Sequence, residues 1–95
     1  MIVIELVYLQ PGQEAAFEAF EQVALARLAA HGGELLLRQR GGAALGGALD
    51  PPDELHIVRF PDEAAFAAFA ADPERARVLP LKEAAVRTTW VVRAD

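Results

Sequence analysis

Glu14-Ala-Ala-Phe-Glu-Ala-Phe20 returns as Glu63-Ala-Ala-Phe-Ala-Ala-Phe69, 49 residues further on. Each copy follows a proline, Pro11 or Pro61, and each proline follows a strand-like run, Ile2 to Leu9 or Leu55 to Phe60. The chain therefore reads as two strand–helix units. In the first, Phe17, Phe20, Ala24 and Leu28 stand at helical spacing on one face,. Glu14, Glu18 and Glu21 sit off that stripe, and acids in the first turns suit a helix N-terminus,. His31-Gly32-Gly33 stops the helix, because glycine takes the left-handed conformation at its end,. A strand follows from Glu34 to about Arg40.

Gly41-Gly42 and Gly46-Gly47 break regularity, and Asp50-Pro51-Pro52-Asp53 makes a turn back into the second unit,. There Asp62 is placed as an N-cap,. Asp72-Pro73-Glu74 reads as a fresh cap with proline at the first helical position, opening a small helix that runs to about Val78 and ends at Pro80,. Thr88 to Val92 is the last strand, rich in β-branched and aromatic residues,. The order β-α-β-β-α-β is the ferredoxin-like α+β plan: a four-stranded antiparallel sheet with helices on one face, in a single domain spanning residues 1–95,.

That plan leaves one sheet face bare. Along the first strand Ile2, Ile4, Leu6 and Tyr8 point one way, and Val3, Val7 and Leu9 the other,. The helices cover one set only. The expectation puts Val3, Val7 and Leu9, with Leu55 and Ile57, on the bare side. Several hundred Å2 of wet apolar surface is more than monomers usually carry. A homodimer packed sheet against sheet is the expected remedy.

Composition sets the limits. Apolar residues are 54% of the chain, and Leu, Ile, Val and Phe alone number 28 of 95, enough for a core although 20 residues are alanine,. No run of about 18 apolar residues spans a membrane,. Met1-Ile-Val-Ile-Glu5 lacks the basic region and cleavage site of a signal peptide, so a cytoplasmic location is expected,. With no cysteine there are no disulfides, thiolate metal sites or cysteine nucleophiles; there is no serine either,. The net charge is −5 and the nine basic residues are scattered, which argues against nucleic acid and anionic membrane as partners,.

Few side chains offer chemistry. His31 and His56 are the only imidazoles, and no His–carboxylate spacing along the chain reads as a metal site, so neither metal nor cofactor is expected,. His56 lies in an apolar strand and is the one candidate for proton transfer, the alternative being a hydrogen-bonded core histidine,. Glu5 is the lone charge in the first strand. Parity puts it on the bare face, where Arg59 is its expected partner or a second ligand contact,. Trp90 is a core or interface aromatic, or a wall for a flat ligand,. Arg38 closes the run Leu35-Leu36-Leu37, and its planar fork suits a carboxylate or enolate,. The expected ligand is thus a small organic anion, with Arg38 as its first contact and Arg59, His56, Glu5 and Trp90 around it.

The chain resembles the dimeric α+β barrel superfamily. Leu9-Gln-Pro-Gly-Gln-Glu-x-x-Phe17 is similar to the start of antibiotic-biosynthesis-monooxygenase-type members. The nearer likeness is to the family called domain of unknown function thirteen-thirty, through His31-Gly-Gly-Glu-Leu-Leu-Leu-Arg38, Val58-Arg-Phe-Pro-Asp62 and Leu79-Pro-Leu-Lys82. Arg38 is the basic residue that matches that family directly. Asp72-Pro73 gives a more distant likeness to YciI-like proteins, whose early His–Asp pair has no counterpart before His31. The resemblance implies a sheet-to-sheet dimer and leaves two functions open. One is a small-molecule-binding protein without catalysis, the reading preferred here. The other is a cofactor-independent monooxygenase, isomerase or lyase acting on an aromatic or polyketide-like compound. A strongly perturbed His56 beside a pocket favours the enzyme; a His56 facing the helices favours the binding module.

Overall fold

A computed structural model describes residues 1–95. The elements run β1 (Ile2–Leu9), α1 (Glu14–Ala26), a single 3-10 turn (Ala29–His31), β2 (Glu34–Arg40), β3 (Glu54–Arg59), α2 (Glu63–Ala70), α3 (Pro73–Ala85) and β4 (Val86–Arg93). The strands form one antiparallel sheet in the order β2-β3-β1-β4, the ferredoxin-like arrangement,. All helices lie on one side of it. Phe17, Phe20 and Ala24 of α1 pack with Val7 and Leu9 of β1 and with Ala85, while Val3, Leu28 and Phe60 form a second buried group.

Local chemistry explains the joints. Gly32 has φ +72°, and a Cβ on Gly33 would lie 2.9 Å from the Phe60 ring, so this pair both ends the first helical segment and lets β3 pass close beneath it,. Asp62 caps α2 by accepting from the Ala65 N–H at 2.8 Å,. Asp72 caps α3 by accepting from Glu74 and Arg75, and its other oxygen takes Arg27 at 3.0 Å and His31 at 2.7 Å. Those contacts tie the end of α1 to the α2–α3 joint, and the Arg27 and His31 bonds hold the Asp72 carboxyl far below the usual carboxylate range.

Two expectations are corrected. Pro80 does not end α3, which continues to Ala85. A proline inside a helix costs about 3 kcal/mol, but Val78 and Leu79 before it and Ala85 after it all pack on the β1–α1 core, and that burial carries the helix through. The sheet faces are also the reverse of the expectation. Val3, Val7 and Leu9 are buried beneath the helices, and Ile2, Ile4, Leu6 and Tyr8 face the open side. The error lay in the β1–β3 register. Ile4 stands opposite Ile57 and Leu6 opposite Leu55, so even positions of β1 share a face with odd positions of β3,. Leu55 and Ile57 stay on the open face, now with Leu6 and Ile4 as neighbours.

Candidate functional site

The same register builds the site. Glu5 stands opposite His56 and Val7 opposite Glu54, so all of these point to the helices. A bulge between Leu35 and Leu37 shifts β2 by one residue and sets Arg38 opposite His56; without it Arg38 would face the open side,. Glu21, expected off the apolar stripe, instead comes down from α1 buried beside Phe17, Phe20 and Ala24, because it lies within the width of the face that packs on the sheet,.

His56 is 3% exposed, and its ring stacks on Phe17 at 6.5 Å between centroids. Its Nε2 meets Glu54 Oε1 at 2.9 Å and its Nδ1 faces Glu5 Oε1 at 3.4 Å. Burial alone would favour neutral imidazole, but the Glu5 and Glu54 carboxylates outweigh it and raise the pKa to about 9,. Glu54 is held from behind by the Arg38 fork, Nε to Oε1 at 2.8 Å and Nη2 to Oε2 at 3.2 Å. Burial pushes Glu54 up, while His56 and Arg38 pull it down further, to about 2. Glu5 is likewise pushed up by burial and brought below its ordinary value by His56, Lys82 and Arg75.

Glu21 is the exception. It is 4% exposed and reaches no hydrogen-bond or ion-pair partner. Burial raises its pKa to about 7, so the carboxyl is part protonated at neutral pH,.

Glu5, Glu21 and His56 border a cavity of about 190 Å3 between sheet and helices. Glu5, Glu21 and His56 form one wall; Phe20, Phe60, Phe66 and Phe69 supply much of the rest, and Arg75 and Lys82 also border it. An apolar cavity of about 150 Å3 admits benzene, so this one fits a single substituted ring. Ligand atoms of Glu5, Glu21 and His56 lie within 4.8 Å of one another, close enough to hold a metal ion,. The chemistry of the set favours a proton instead. Both nitrogens of His56 already face carboxylates, and an incoming dication would meet Arg75 and Lys82 at the same cavity.

Of the residues expected at a site, Glu5 and His56 come together and the others do not. Arg38 borders no part of this cavity; besides Glu54 it reaches Glu18 at 2.7 Å, so its fork is occupied. Arg59 is on the open face, opposite Ile2, and pairs with Glu34 at 3.1 Å rather than with Glu5. Trp90 is on the open face opposite Leu6, 54% exposed, and lines no wall with His56. Glu18, read as off the stripe, pairs with Arg38 and Arg40.

Sequence reasoning missed Glu21, Glu54, Arg75 and Lys82. For Glu21 a signal existed: it lies four residues after Phe17 and three before Ala24, within the width of an apolar helix face,. Glu5, Glu21 and His56 come from three elements, so no spacing along the chain could reveal their cluster.

Residues 5–94 match the family described as Domain of unknown function (DUF1330). The chain belongs to this family. No curated protein matches the DUF1330 chain. Among solved structures it is similar to the protein of unknown function RPA0582 from Rhodopseudomonas palustris, at 22% identity and TM-score 0.84, covering 98% of this chain and 78% of the other. An antibiotic biosynthesis monooxygenase is similar at 23% identity and TM-score 0.63, covering 100% and 97%. The dehydrochlorinase TftG from Burkholderia phenoliruptrix AC1100, in complex with 2,5-dihydroxybenzoquinone, is similar at 14% identity and TM-score 0.55, covering 100% and 94%. At these identities the likeness is one of fold.

Proposed function

We propose that this DUF1330 protein is a cytoplasmic homodimer that binds a small, single-ring organic compound in the cavity between its sheet and helices. The observation that carries this reading is the cavity itself, walled by aromatic side chains and floored by three convergent titratable groups. Such a combination is the usual form of a small-molecule site. Dimerisation through the open face is supported by the apolar surface of Ile4, Leu6, Leu55, Ile57 and Trp90, which no helix covers,.

The criteria set for the two functions are both met: His56 faces the helices and is also strongly perturbed beside a pocket. The perturbation beside the pocket fits a second reading, a cofactor-independent isomerase or lyase. Glu21 is the proton-handling group in it, because unlike Glu5 and His56 it has no partner, and burial brings its pKa to about 7,. His56, with both nitrogens engaged, supplies fixed positive charge beside it. TftG, with its quinone, is a relative in fold that holds a single-ring compound.

Binding is tested by thermal shift with single-ring carbonyl compounds and phenols on wild type and on Val91→Trp, which fills the cavity from the exposed β4 side. Compounds that stabilise wild type and not Val91→Trp support the reading; equal shifts for both proteins, or none for either, contradict it. Deuterium exchange into a bound carbonyl compound that is lost in Glu21→Gln separates the enzyme from the binding module.

A further inference from the structure

Arg27, Arg38, Arg40, Arg59, Arg77 and Arg93 each reach a carboxylate. In a chain with fourteen acids and nine bases that is the expected state of a cation. Arg75, Lys82 and Arg87 have no such partner; Arg87 lies over the Tyr8 ring on the open face, and Arg75 and Lys82 border the cavity. Arg75 lies 5.4 Å from the ring centroids of both Phe20 and Phe69, and Lys82 lies 5.7 Å from that of Phe20. The Arg75 guanidinium makes a single side-chain bond, Nη1 to the Ala70 carbonyl at 3.1 Å. Its Nε is buried and has no partner. The Nε–Nη2 edge, the edge that grips a carboxylate with two bonds, is thus unused. A buried donor left without an acceptor is costly, and natural structures rarely retain one without a role.

We propose that Arg75 and Lys82 form an anion subsite, and that the ligand is a single-ring carboxylate whose ring packs against Phe20 and Phe69. The inference rests on the cavity being a ligand site and adds the class of ligand. The charge of the wall agrees with it. With His56 as imidazolium the cavity carries three cations against Glu5 and a part-protonated Glu21, although the whole chain is at −5. Arg75 is only half-buried, so a turn of its side chain brings the free edge to a ligand oxygen. The sequence reading also expected an organic anion but assigned it to Arg38, whose fork Glu54 and Glu18 fill.

The test compares benzoate with benzamide, its neutral isostere, by calorimetric titration of the wild-type protein. Benzoate is expected to bind roughly tenfold to a hundredfold more tightly, the range of a charge-assisted bond, and to lose that advantage in Arg75→Met and in Lys82→Met while benzamide binding stays as it was. Equal affinities for the two compounds in wild type overturn the anion subsite and leave the cavity reading standing. Binding of neither compound overturns both. A benzoate preference that survives in both variants, each melting like wild type, places the anion elsewhere and also overturns the proposal.

Discussion

Beneath the helices the sheet carries Glu5, Glu54, His56 and Arg38; toward the open side it carries Ile4, Leu6, Tyr8, Leu55, Ile57 and Trp90. The covered face thus interrupts its apolar core of Val3, Val7 and Leu9 with buried charges, whereas an ordinary one-layer sheet keeps the covered face apolar,. Buried charges persist only when each meets an opposite charge, and an apolar replacement of similar volume is often as stable or more so. The chain of contacts Glu18–Arg38–Glu54–His56–Glu5 meets that condition for every member, and Glu21 stands outside it. The difference between the faces fits the two roles proposed: ligand chemistry beneath the helices and association through the open face.

The largest effect is expected on the open face. Leu6→Asp should weaken dimerisation by about a hundredfold or more, since a symmetric interface would desolvate two carboxylates at once. Sedimentation equilibrium measures it, with circular dichroism checking that the helices persist. Glu21→Gln, beneath the helices, should leave association unchanged; if it dissociates the dimer instead, the division of labour between the faces is wrong.

Next comes His56→Ala. It leaves Glu5 and Glu54 without the cation between them and should cost about 3–5 kcal/mol, the usual penalty for stranding a buried charge. Arg59→Ala, which breaks only the exposed pair with Glu34, should cost about 0.5 kcal/mol,. Urea unfolding of the two variants compares them directly. Similar losses would mean that the buried network is no different from a surface pair.

A smaller effect depends on pH. Glu21 rises from 4.5 unfolded to about 7 folded, so its contribution is fully present below pH 4.5 and is lost as pH rises through 7,. His56 rises from 6.5 to about 9, so its contribution is present below 6.5 and lost toward 9. Both make the fold weaken with rising pH between 4.5 and 9. Glu54 acts oppositely, contributing above 4.5 and failing as pH falls toward 2. Glu21→Gln should flatten the decline between pH 4.5 and 7 and stabilise the protein at pH 8 by roughly 1–3 kcal/mol. An unchanged slope in that window would remove Glu21 from the buried site. The smallest change is remote from both faces: Asp62→Ala, losing the cap of α2, should cost about 1 kcal/mol by the same urea assay,.

Most of the fold was legible because it is written locally. The repeated Glu-Ala-Ala-Phe segments, the stop at Gly32-Gly33 and the caps at Asp62 and Asp72 are short-range signals, and the elements stand close to where those signals put them. The faces were not legible, because they depend on register across strands. One residue of slip decides whether Leu55 or His56 neighbours Glu5, and the bulge beside Leu36 decides where Arg38 points. Parity along one strand carries no such information. Pro80 misled for the opposite reason: a strong local signal lost to burial on both sides of it. Arg75 and Lys82 were invisible because an unpaired cation is recognised only once every carboxylate has been placed.

The most direct measurement is an NMR titration of the His56 imidazole in the intact protein. The buried carboxylate network requires the ring to remain protonated through neutral pH and to titrate near 9, with both ring nitrogens carrying hydrogen at pH 7. A titration at or below 6.5, or a neutral tautomer at pH 7, would contradict a charged site beneath the helices.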